Sequence, residues 1–291
     1  MKKWCMIIDI EKCENCNNCF LACKDEHCGN NWPGYSGSQP LHGQRWMNIH
    51  RKERGKFPII DASYLPMPCM HCEDPLCVKA AKNKAVYKRP DGIVIIDPEK
   101  AKGQKQIVSA CPYSAIWWNE ETQTPQKCTF CAHLLDQGWK VPRCVQACPT
   151  GALSFQSLEE NELKELIKTQ KLEVFGRKNK SSMPGVYYKN LYRYTKCFIA
   201  GSVAAKKDKV EDCVADAQVK LIQNKKIINQ ATTNAFGDFK FDNLEKNSGR
   251  YKIIITHDKF EQNEIEVEIM EKSLSAGVIW IMPSLINNTG R

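Results

Sequence analysis

The cysteines are the residues of this sequence whose spacing most clearly predicts chemistry. The chain has sixteen of them, and fourteen lie before residue 150. Three cysteines separated by two-residue gaps can wrap one 4Fe–4S cubane, because neighbouring thiolates then reach adjacent irons. In such runs the fourth cysteine crosses to a partner cluster and is followed by proline. Twelve cysteines fall in four blocks related to this pattern: Cys13-x2-Cys16-x2-Cys19-x3-Cys23; Cys69-x2-Cys72-x4-Cys77; Cys111-Pro112; and Cys128-x2-Cys131 with Cys144-x3-Cys148-Pro149.

The crossing rule divides these twelve cysteines into three sets of four ligands. The first set is Cys13, Cys16, Cys19 and Cys148. The second set is Cys23, Cys128, Cys131 and Cys144. The third set is Cys69, Cys72, Cys77 and Cys111. Each of the twelve is used once, so the sequence predicts three 4Fe–4S clusters.

A fourth cluster would need ligands that the sequence lacks. Counting back from Cys111, the first three ligands of a complete run would fall at residues 101, 104 and 107, and the crossing ligand at residue 81. Those positions hold Ala101, Gln104, Ile107 and Ala81. Because the four ligands of one cluster are missing together, the pattern indicates loss of that cluster as a unit and supports the crossing assignment.

Zinc is the alternative metal, since Cys-x2-Cys pairs also form zinc sites that histidine completes. His71 lies between two cysteines of the third set and His133 follows Cys131. We interpret both histidines as residues that support the ligands or pack beside them. The four remaining cysteines fit no block, and we interpret them as small buried apolar residues: Cys5, Cys28, Cys197 and Cys213.

The charge distribution argues against a nucleic-acid-binding protein. The chain has a net charge of +9. Residues 196–291 hold 14 Lys and Arg against 13 Asp and Glu, which leaves 28 against 20 for residues 1–195. A 4Fe–4S cluster with four thiolates carries about −2, so three clusters would offset roughly six of these positive charges. The excess therefore indicates compensation for buried anions rather than a surface for nucleic acid.

The lengths of the apolar stretches bear on where the protein is located and on whether it is a membrane or secreted protein. No run of about 18 apolar residues occurs, so we expect no membrane span. The apolar stretch near the N-terminus is short and Asp9 interrupts it, which is untypical of a signal peptide. We expect a cytoplasmic protein, with export alongside a partner left open. A disulfide scaffold is not expected in a chain of this length without a secretion signal.

The segments around the cysteines must position them. Residues 29–66 form a long insertion, which in a compact domain is either a functional or partner-facing segment or solvated surface. Residues 157–169 are predicted to form a helix that covers the clusters, with a capping box of Ser157 and Glu160. Residues 171–195 are predicted to be an extended connector.

A change of composition near residue 196 predicts a second domain. Seven short runs, separated by turn residues, favour strands in a β-sandwich or barrel: 197–203, 217–222, 226–232, 239–241, 251–256, 265–269 and 277–281. The predicted fold class is therefore α+β, with a double ferredoxin-like iron–sulfur domain at 1–195 and an antiparallel sandwich or barrel at 196–291. No catalytic constellation occurs in either part.

The order of the cysteine blocks resembles the electron-transfer (β) subunits of molybdopterin oxidoreductases, the dimethyl-sulfoxide-reductase family. The chain is similar in particular to the transhydroxylase branch of that family, in the missing fourth cluster and the added β-domain. Further stretches carry this resemblance along the chain: Asn31–Tyr35, Arg45–Ile49, Val186–Arg193 and Phe236–Phe241.

The resemblance implies a heterodimer with a large catalytic subunit that carries molybdenum on two pterin guanine dinucleotides. It also implies that hydroxyl transfer between polyhydroxybenzenes takes place on that partner and that this chain moves electrons. Two alternatives stay open. One is the electron-transfer subunit of a respiratory molybdopterin reductase, and the other is a structural iron–sulfur scaffold for complex assembly.

Overall fold

The computed structural model describes residues 1–176, 184–207 and 210–284. The chain divides into two compact units. The first consists of Met1–Arg51 and Tyr64–Leu191, and the second of Lys52–Ser63 and Tyr192–Arg291. The division between Leu191 and Tyr192 lies close to the boundary predicted at 196, and the insertion contributes a short segment to the second unit.

The longest sheet of the first unit has three strands. β1 (Lys3–Asp9) runs antiparallel to β8 (Leu153–Leu158) and parallel to β9 (Val186–Lys189). Met6 and Ile8 of β1 are fully buried, as expected for an apolar run with neighbours on both sides. Two short hairpins also belong to this unit: β4 (Val86–Lys88) with β5 (Val94–Ile96), and β6 (Trp117–Asn119) with β7 (Thr124–Gln126).

The helices of the first unit are short and carry or adjoin the cysteines. They are α1 (Asn18–His27), α2 (Leu76–Ala80), α3 (Gln106–Ser109), α4 (Ala132–Asp136), α5 (Arg143–Gln146) and α6 (Glu160–Thr169). The buried residues of α1 are Cys19, Cys23 and His27. Their four-residue spacing puts all three on one helix face, and α1 packs against α5.

Helix α6 begins later than the sequence indicated. Ser157 belongs to β8, where it pairs with Trp4, and the N-cap is Glu159, which forms a capping box with Glu162. The predicted cap of Ser157 and Glu160 is therefore wrong, because the pairing with β1 keeps this segment extended. The helix itself is present, and its apolar face is packed, since Leu163 is buried in a core cluster with Leu166 and Ile167 beside it.

The predicted extended connector at 171–195 needs a correction. Part of it, 177–183, lies outside the described residues. Its later part contains β9, which pairs with β1, and α7 (Tyr192–Thr195). Tyr187 and Tyr188 are fully buried, so β9 is a structural part of the first unit's sheet, whereas α7 belongs to the second unit.

The insertion at 29–66 includes a β-hairpin. Its strands are β2 (Asn48–Lys56) and β3 (Ile59–Met67). The tip of this hairpin, Lys52–Ser63, belongs to the second unit. There Arg54, whose side chain is only 2% exposed, pairs with Asp61 and with Asp242.

The second unit is a sandwich of two four-stranded sheets. One consists of β10 (Cys197–Lys207), β11 (Val210–Cys213), β14 (Asp238–Leu244) and β17 (Leu274–Ile281). This sheet is mixed, because β17 runs parallel to β10, so the prediction of an antiparallel sandwich is wrong for this pair of strands. The other consists of β12 (Gln218–Gln223), β13 (Lys226–Thr232), β15 (Gly249–His257) and β16 (Phe260–Ile269). Inward-facing residues of both sheets form one apolar core.

All seven predicted strands of this unit are present, and β11 is an eighth that the sequence analysis missed. Each of its four residues is exposed, so it lacks the apolar alternation that marks a half-buried strand. No helix in the described part of the chain has the length and apolar character that a membrane span requires.

Candidate metal centres

All sixteen cysteines lie in the described residues, and none of them forms a disulfide. The first predicted set is gathered around Cys19 of α1. Burial raises the pKa of the Cys19 thiol to about 12, and the neighbouring thiolates of Cys13, Cys148 and Cys16 act in the same direction. Cys16 is exposed. The structure therefore brings the four thiols of the first set together at a site that reaches the surface.

The second set lies deeper in the unit. Burial raises the pKa of Cys128 to about 11 and that of Cys131 to about 12. The thiol of Cys144 interacts with those of Cys131, Cys128 and Cys23, and all four residues are buried. Cys23 comes from α1 and Cys144 from α5, so the contact between these helices brings the distant parts of the set together.

The third set lines one cavity. Its wall contains the four cysteines with apolar neighbours that include Met70, Val94 and Ile116. Burial raises the pKa of Cys77 to about 12, and the thiolates of Cys69, Cys111 and Cys72 add to this effect. Helix α2 positions Cys77, and α3 packs against α2 just before Cys111.

Two pairs of thiols connect the sets to one another. Cys19 of the first set interacts with Cys144 of the second. Cys69 of the third set interacts with Cys128 of the second. The second set therefore adjoins both the first set and the third.

The donors around the sulfurs fit an iron–sulfur cluster. Backbone N–H groups point at ligand sulfurs, with His71 N 3.5 Å from Cys69 Sγ, Ala115 N 3.4 Å from Cys111 Sγ, and Phe130 N 3.4 Å from Cys128 Sγ. Such hydrogen bonds stabilise cluster thiolates and help set the reduction potential.

The thiols are spread more widely than the ligands of a single metal ion. No three Cys, His, Asp or Glu side chains converge on one ion within the described ranges. Thiolates around a cubane each bind a different iron, so convergence on one point is not required.

Apolar residues occupy the place where a fourth cluster would lie. Ala101 and Ile107 are fully buried in a core cluster, and Ala81 packs against it. The fourth position, Gln104, accepts a hydrogen bond from Lys82 N at 2.8 Å and donates to Lys100 O at 2.7 Å. Packing and a glutamine bridge therefore hold together the loops at this position.

The two histidines of the motifs have defined packing partners. His71 is buried, and its Nδ1 accepts a hydrogen bond from Val94 N at 2.9 Å. His133 Nε2 lies 2.9 Å from Glu26 Oε1, and its ring stacks on Trp32. The sequence analysis missed a third histidine, His27, whose Nε2 lies 3.9 Å from Cys131 Sγ. Its place on the buried face of α1, four residues after Cys23, was the available signal.

The four cysteines outside the sets differ in burial. Cys5 and Cys197 are buried, as predicted. Cys28 is partly exposed and Cys213 is exposed, so the prediction of small buried residues is wrong for these two. Cys28 ends α1 and Cys213 lies on the exposed strand β11, and neither position faces a core.

Comparison with known protein families finds matches in two segments of the chain. Residues 60–158 match the family described as a 4Fe-4S dicluster domain. Residues 196–280 match the second beta sandwich domain of the NOMO1-like subunit of the BOS complex. This second match agrees with the sandwich of the second unit.

Several curated relatives match the chain over different lengths. The pyrogallol hydroxytransferase small subunit of Pelobacter acidigallici is 44% identical over 282 residues, covering 96% of this chain and 99% of the relative. The iron–sulfur cluster-binding subunit of a menaquinone reductase from Nitratidesulfovibrio vulgaris is 31% identical, covering 58% of this chain and 81% of the relative. The arsenate respiratory reductase iron–sulfur subunit of a Shewanella species is 29% identical, covering 57% and 87%.

The first of these matches extends through both units, whereas the reductase subunits share little more than half of the chain. Identity of this extent and level establishes common descent. The chain belongs to the family of iron–sulfur subunits of molybdopterin oxidoreductases that includes the small subunit of pyrogallol hydroxytransferase.

Proposed function

We propose that this chain is the electron-transfer subunit of a two-subunit molybdenum enzyme of the pyrogallol hydroxytransferase type. The observation that carries the proposal is the 44% identity to the small subunit of that enzyme over 96% of the chain. The partner would be a large subunit that carries molybdenum on two pterin guanine dinucleotides. Hydroxyl transfer between polyhydroxybenzenes would take place there, with no active site on this chain.

Three 4Fe–4S clusters are the proposed cofactors of this chain. The ligands would be the three sets of four cysteines given above, and the first unit would have a double ferredoxin-like fold. The gathered thiols and the amide donors at Cys69, Cys111 and Cys128 support this assignment. When bound, the clusters supply one-electron carriers.

The protein itself would control where electrons enter and leave the chain of clusters. The exposed Cys16 makes the first set the best candidate for contact with a redox partner. The apolar core at Ala101 and Ile107 ends the series beside the third set. Since hydroxyl transfer involves no net oxidation, we propose that the clusters set or restore the oxidation state of molybdenum rather than act at every turnover.

The test is isolation of the native complex under anaerobic conditions from the cytoplasmic fraction, where we propose it is located. We expect a large molybdenum-containing subunit, about twelve iron and twelve sulfide per small subunit, and activity with trihydroxybenzenes. Zinc in place of iron would overturn the cofactor assignment. Activity with a respiratory oxidant, and none with trihydroxybenzenes, would favour the reductase alternative.

Potentiometric EPR of the same complex separates electron transfer from a structural role. We expect each cluster to be reduced within an accessible range of potentials and to exchange electrons with molybdenum. Clusters that cannot be reduced would identify the chain as a scaffold for assembly.

A further inference from the structure

Lys127 is a buried cation whose partners are all neutral. Its residue is only 2% exposed. The Nζ atom donates one hydrogen bond to Val94 O at 2.5 Å and another to Cys128 O at 3.0 Å. Among the residues that the structure describes, no carboxylate forms an ion pair with Lys127. Lysine is rarely buried without an opposite charge, because removing an ammonium from water is costly in free energy.

The position of Lys127 relates it to two of the thiol sets. Val94, which accepts the first hydrogen bond, lines the cavity formed by the four cysteines of the third set. Cys128, which accepts the second through its carbonyl, is a member of the second set. The ammonium is therefore held by one backbone group at each of two neighbouring candidate metal centres.

The electrostatic effect of Lys127 extends to thiols of both sets. Burial raises the pKa of Cys77, Cys111 and Cys128, and the positive charge of Lys127 acts in the opposite direction on all three. The first two belong to the third set and the last to the second. Thiolates of the second set and of the third set can therefore both balance the charge of the buried ammonium.

The other polar groups nearby do not supply an equivalent charge. His71 accepts a hydrogen bond from Val94 N through Nδ1, so its ring proton lies on Nε2 and the ring is neutral. Lys88 is partly buried, but its Nζ pairs with Glu73 at 2.6 Å. Unlike Lys88, Lys127 is fully buried and forms no ion pair with a carboxylate of the described residues.

We propose that the ammonium of Lys127 is a shared counter-charge for the clusters of the second and third sets and raises the reduction potentials of both. The inference rests on the proposed function, because it requires clusters at both sets. A cluster with four thiolates is anionic and gains a further negative charge when reduced, so a nearby cation favours the reduced form. Lys127 is accordingly a tuning residue and not a ligand.

The experiment measures the three midpoint potentials in the intact complex by EPR-monitored titration. We expect Lys127→Met to lower the potentials of two clusters and to leave that of the third unchanged. Lys127→Gln removes the charge but keeps a hydrogen-bond donor, and should lower the same two potentials. Lys127→Arg keeps the charge and should preserve them. Lys164→Met, at an exposed lysine of α6, changes the net charge equally and should shift none.

The iron content and the midpoint potentials of these variants together show whether Lys127 acts as a counter-charge or only as a structural support. If the neutral variants retain iron and sulfide and all potentials stay as in the wild type, Lys127 is only a structural support and the proposal is wrong. If the neutral variants lose iron while Lys127→Arg retains it, the charge is needed for assembly, as a counter-charge requires. If Lys127→Arg also loses iron, the shape of lysine is what matters and the proposal fails. Wild-type complex without iron would instead contradict the proposed function.

Discussion

The imidazole ring of His71 lies on the phenyl ring of Phe130, with the ring centroids 3.8 Å apart. His71 stands between Cys69 and Cys72 of the third set, and Phe130 stands between Cys128 and Cys131 of the second. Both residues have positive φ, at 43° and 55°, which these tight cysteine loops impose. The loops of two candidate metal centres are therefore packed directly against each other through their middle residues.

Gly185 is required for this packing. A Cβ at this position would meet His71 Cβ at 2.9 Å and the Phe130 ring at 3.2 Å. We expect Gly185→Ala to destabilise the first unit by about 1–3 kcal/mol, because the two stacked loops would have to separate. Anaerobic thermal unfolding and the rate of iron release to a chelator would measure the effect.

Gly37 offers a matched control for that change. A Cβ on Gly37 would make only ordinary contacts, at 3.4 Å and beyond, so Gly37→Ala should leave stability and iron release unchanged. Equal behaviour of the two variants would show that the contact between the loops has room for a methyl group.

Cys77 belongs to the third set, so its replacement tests the division of the twelve cysteines into three sets. Replacement by alanine, which cannot bind iron, should remove one cluster and lower the iron content from about twelve to about eight per chain. Cys213→Ser, at an exposed cysteine outside the sets, should leave iron content unchanged. Loss of iron to about four per chain in Cys77→Ala would mean that the division into three sets is wrong.

The division into sets could be made from the sequence because it depends on short spacings and on one general rule of ligand crossing. The burial of Lys127 could not be predicted from the sequence. Its hydrogen-bond acceptor Val94 lies 33 positions earlier, and their contact depends on the packing of β5. The same limitation applies to Arg54, which lies in the insertion at 29–66 and for which no partner was predicted. Its partner Asp242 is 188 positions away, and no local pattern indicates that the hairpin tip joins the sandwich.

Errors in the predicted elements have a related cause. Ser157 and Glu160 satisfy the Ser/Thr-x-x-Glu pattern of a capping box. The N-cap is instead Glu159, because pairing of β8 with β1 keeps Ser157 in a strand. The apolar periodicity of α6 and of the buried sandwich strands was sufficient to predict those elements. Local patterns therefore predicted the types of elements, while contacts distant in the sequence determined their ends.

Gln104 bridges two loops at a position where a complete cysteine run would supply a ligand. Its side chain hydrogen-bonds Lys82 N at 2.8 Å and Lys100 O at 2.7 Å. Gln104→Ala should lower the local free energy of opening by about 1–3 kcal/mol, because the amide of Lys82 loses its acceptor. Hydrogen exchange at that amide would measure the change. Iron content should stay the same, and exposed Gln170→Ala should have no effect.

Arg54 stabilises the second unit by forming ion pairs with Asp61 and Asp242. Burial acts to raise the pKa of Asp61, but hydrogen bonds from Arg54 and Lys240 outweigh it and hold the pKa at about 2. Arg54→Met would leave Asp61 and Asp242 without their buried partner, and should destabilise the sandwich by about 3–5 kcal/mol. Hydrogen exchange along β14 in the full chain would report this change.

Lys240 provides the comparison, because it pairs with the same two carboxylates from a position where its side chain is 38% exposed. Surface ion pairs contribute at most about 1 kcal/mol, so Lys240→Met should have a small effect. A large loss of protection in this variant, with little in Arg54→Met, would show that the exposed lysine dominates the network.

The order of the three sets makes a prediction about magnetic coupling in the fully reduced protein. The second set adjoins the first through Cys144 and Cys19, and the third through Cys128 and Cys69. Spin coupling between neighbouring reduced clusters falls steeply with distance, so the cluster of the second set should couple to both others. Coupling between the first and third sets should be the weakest.

Removing one terminal cluster at a time tests that order without disturbing the middle. Cys16→Ala deletes the first set at its exposed ligand, and Cys77→Ala deletes the third. With the second set in the middle, each variant retains an adjacent pair, and its reduced EPR spectrum should still show coupling. If either variant gave two independent signals, its remaining clusters would not be neighbours, and the middle position would belong to the set that had been removed.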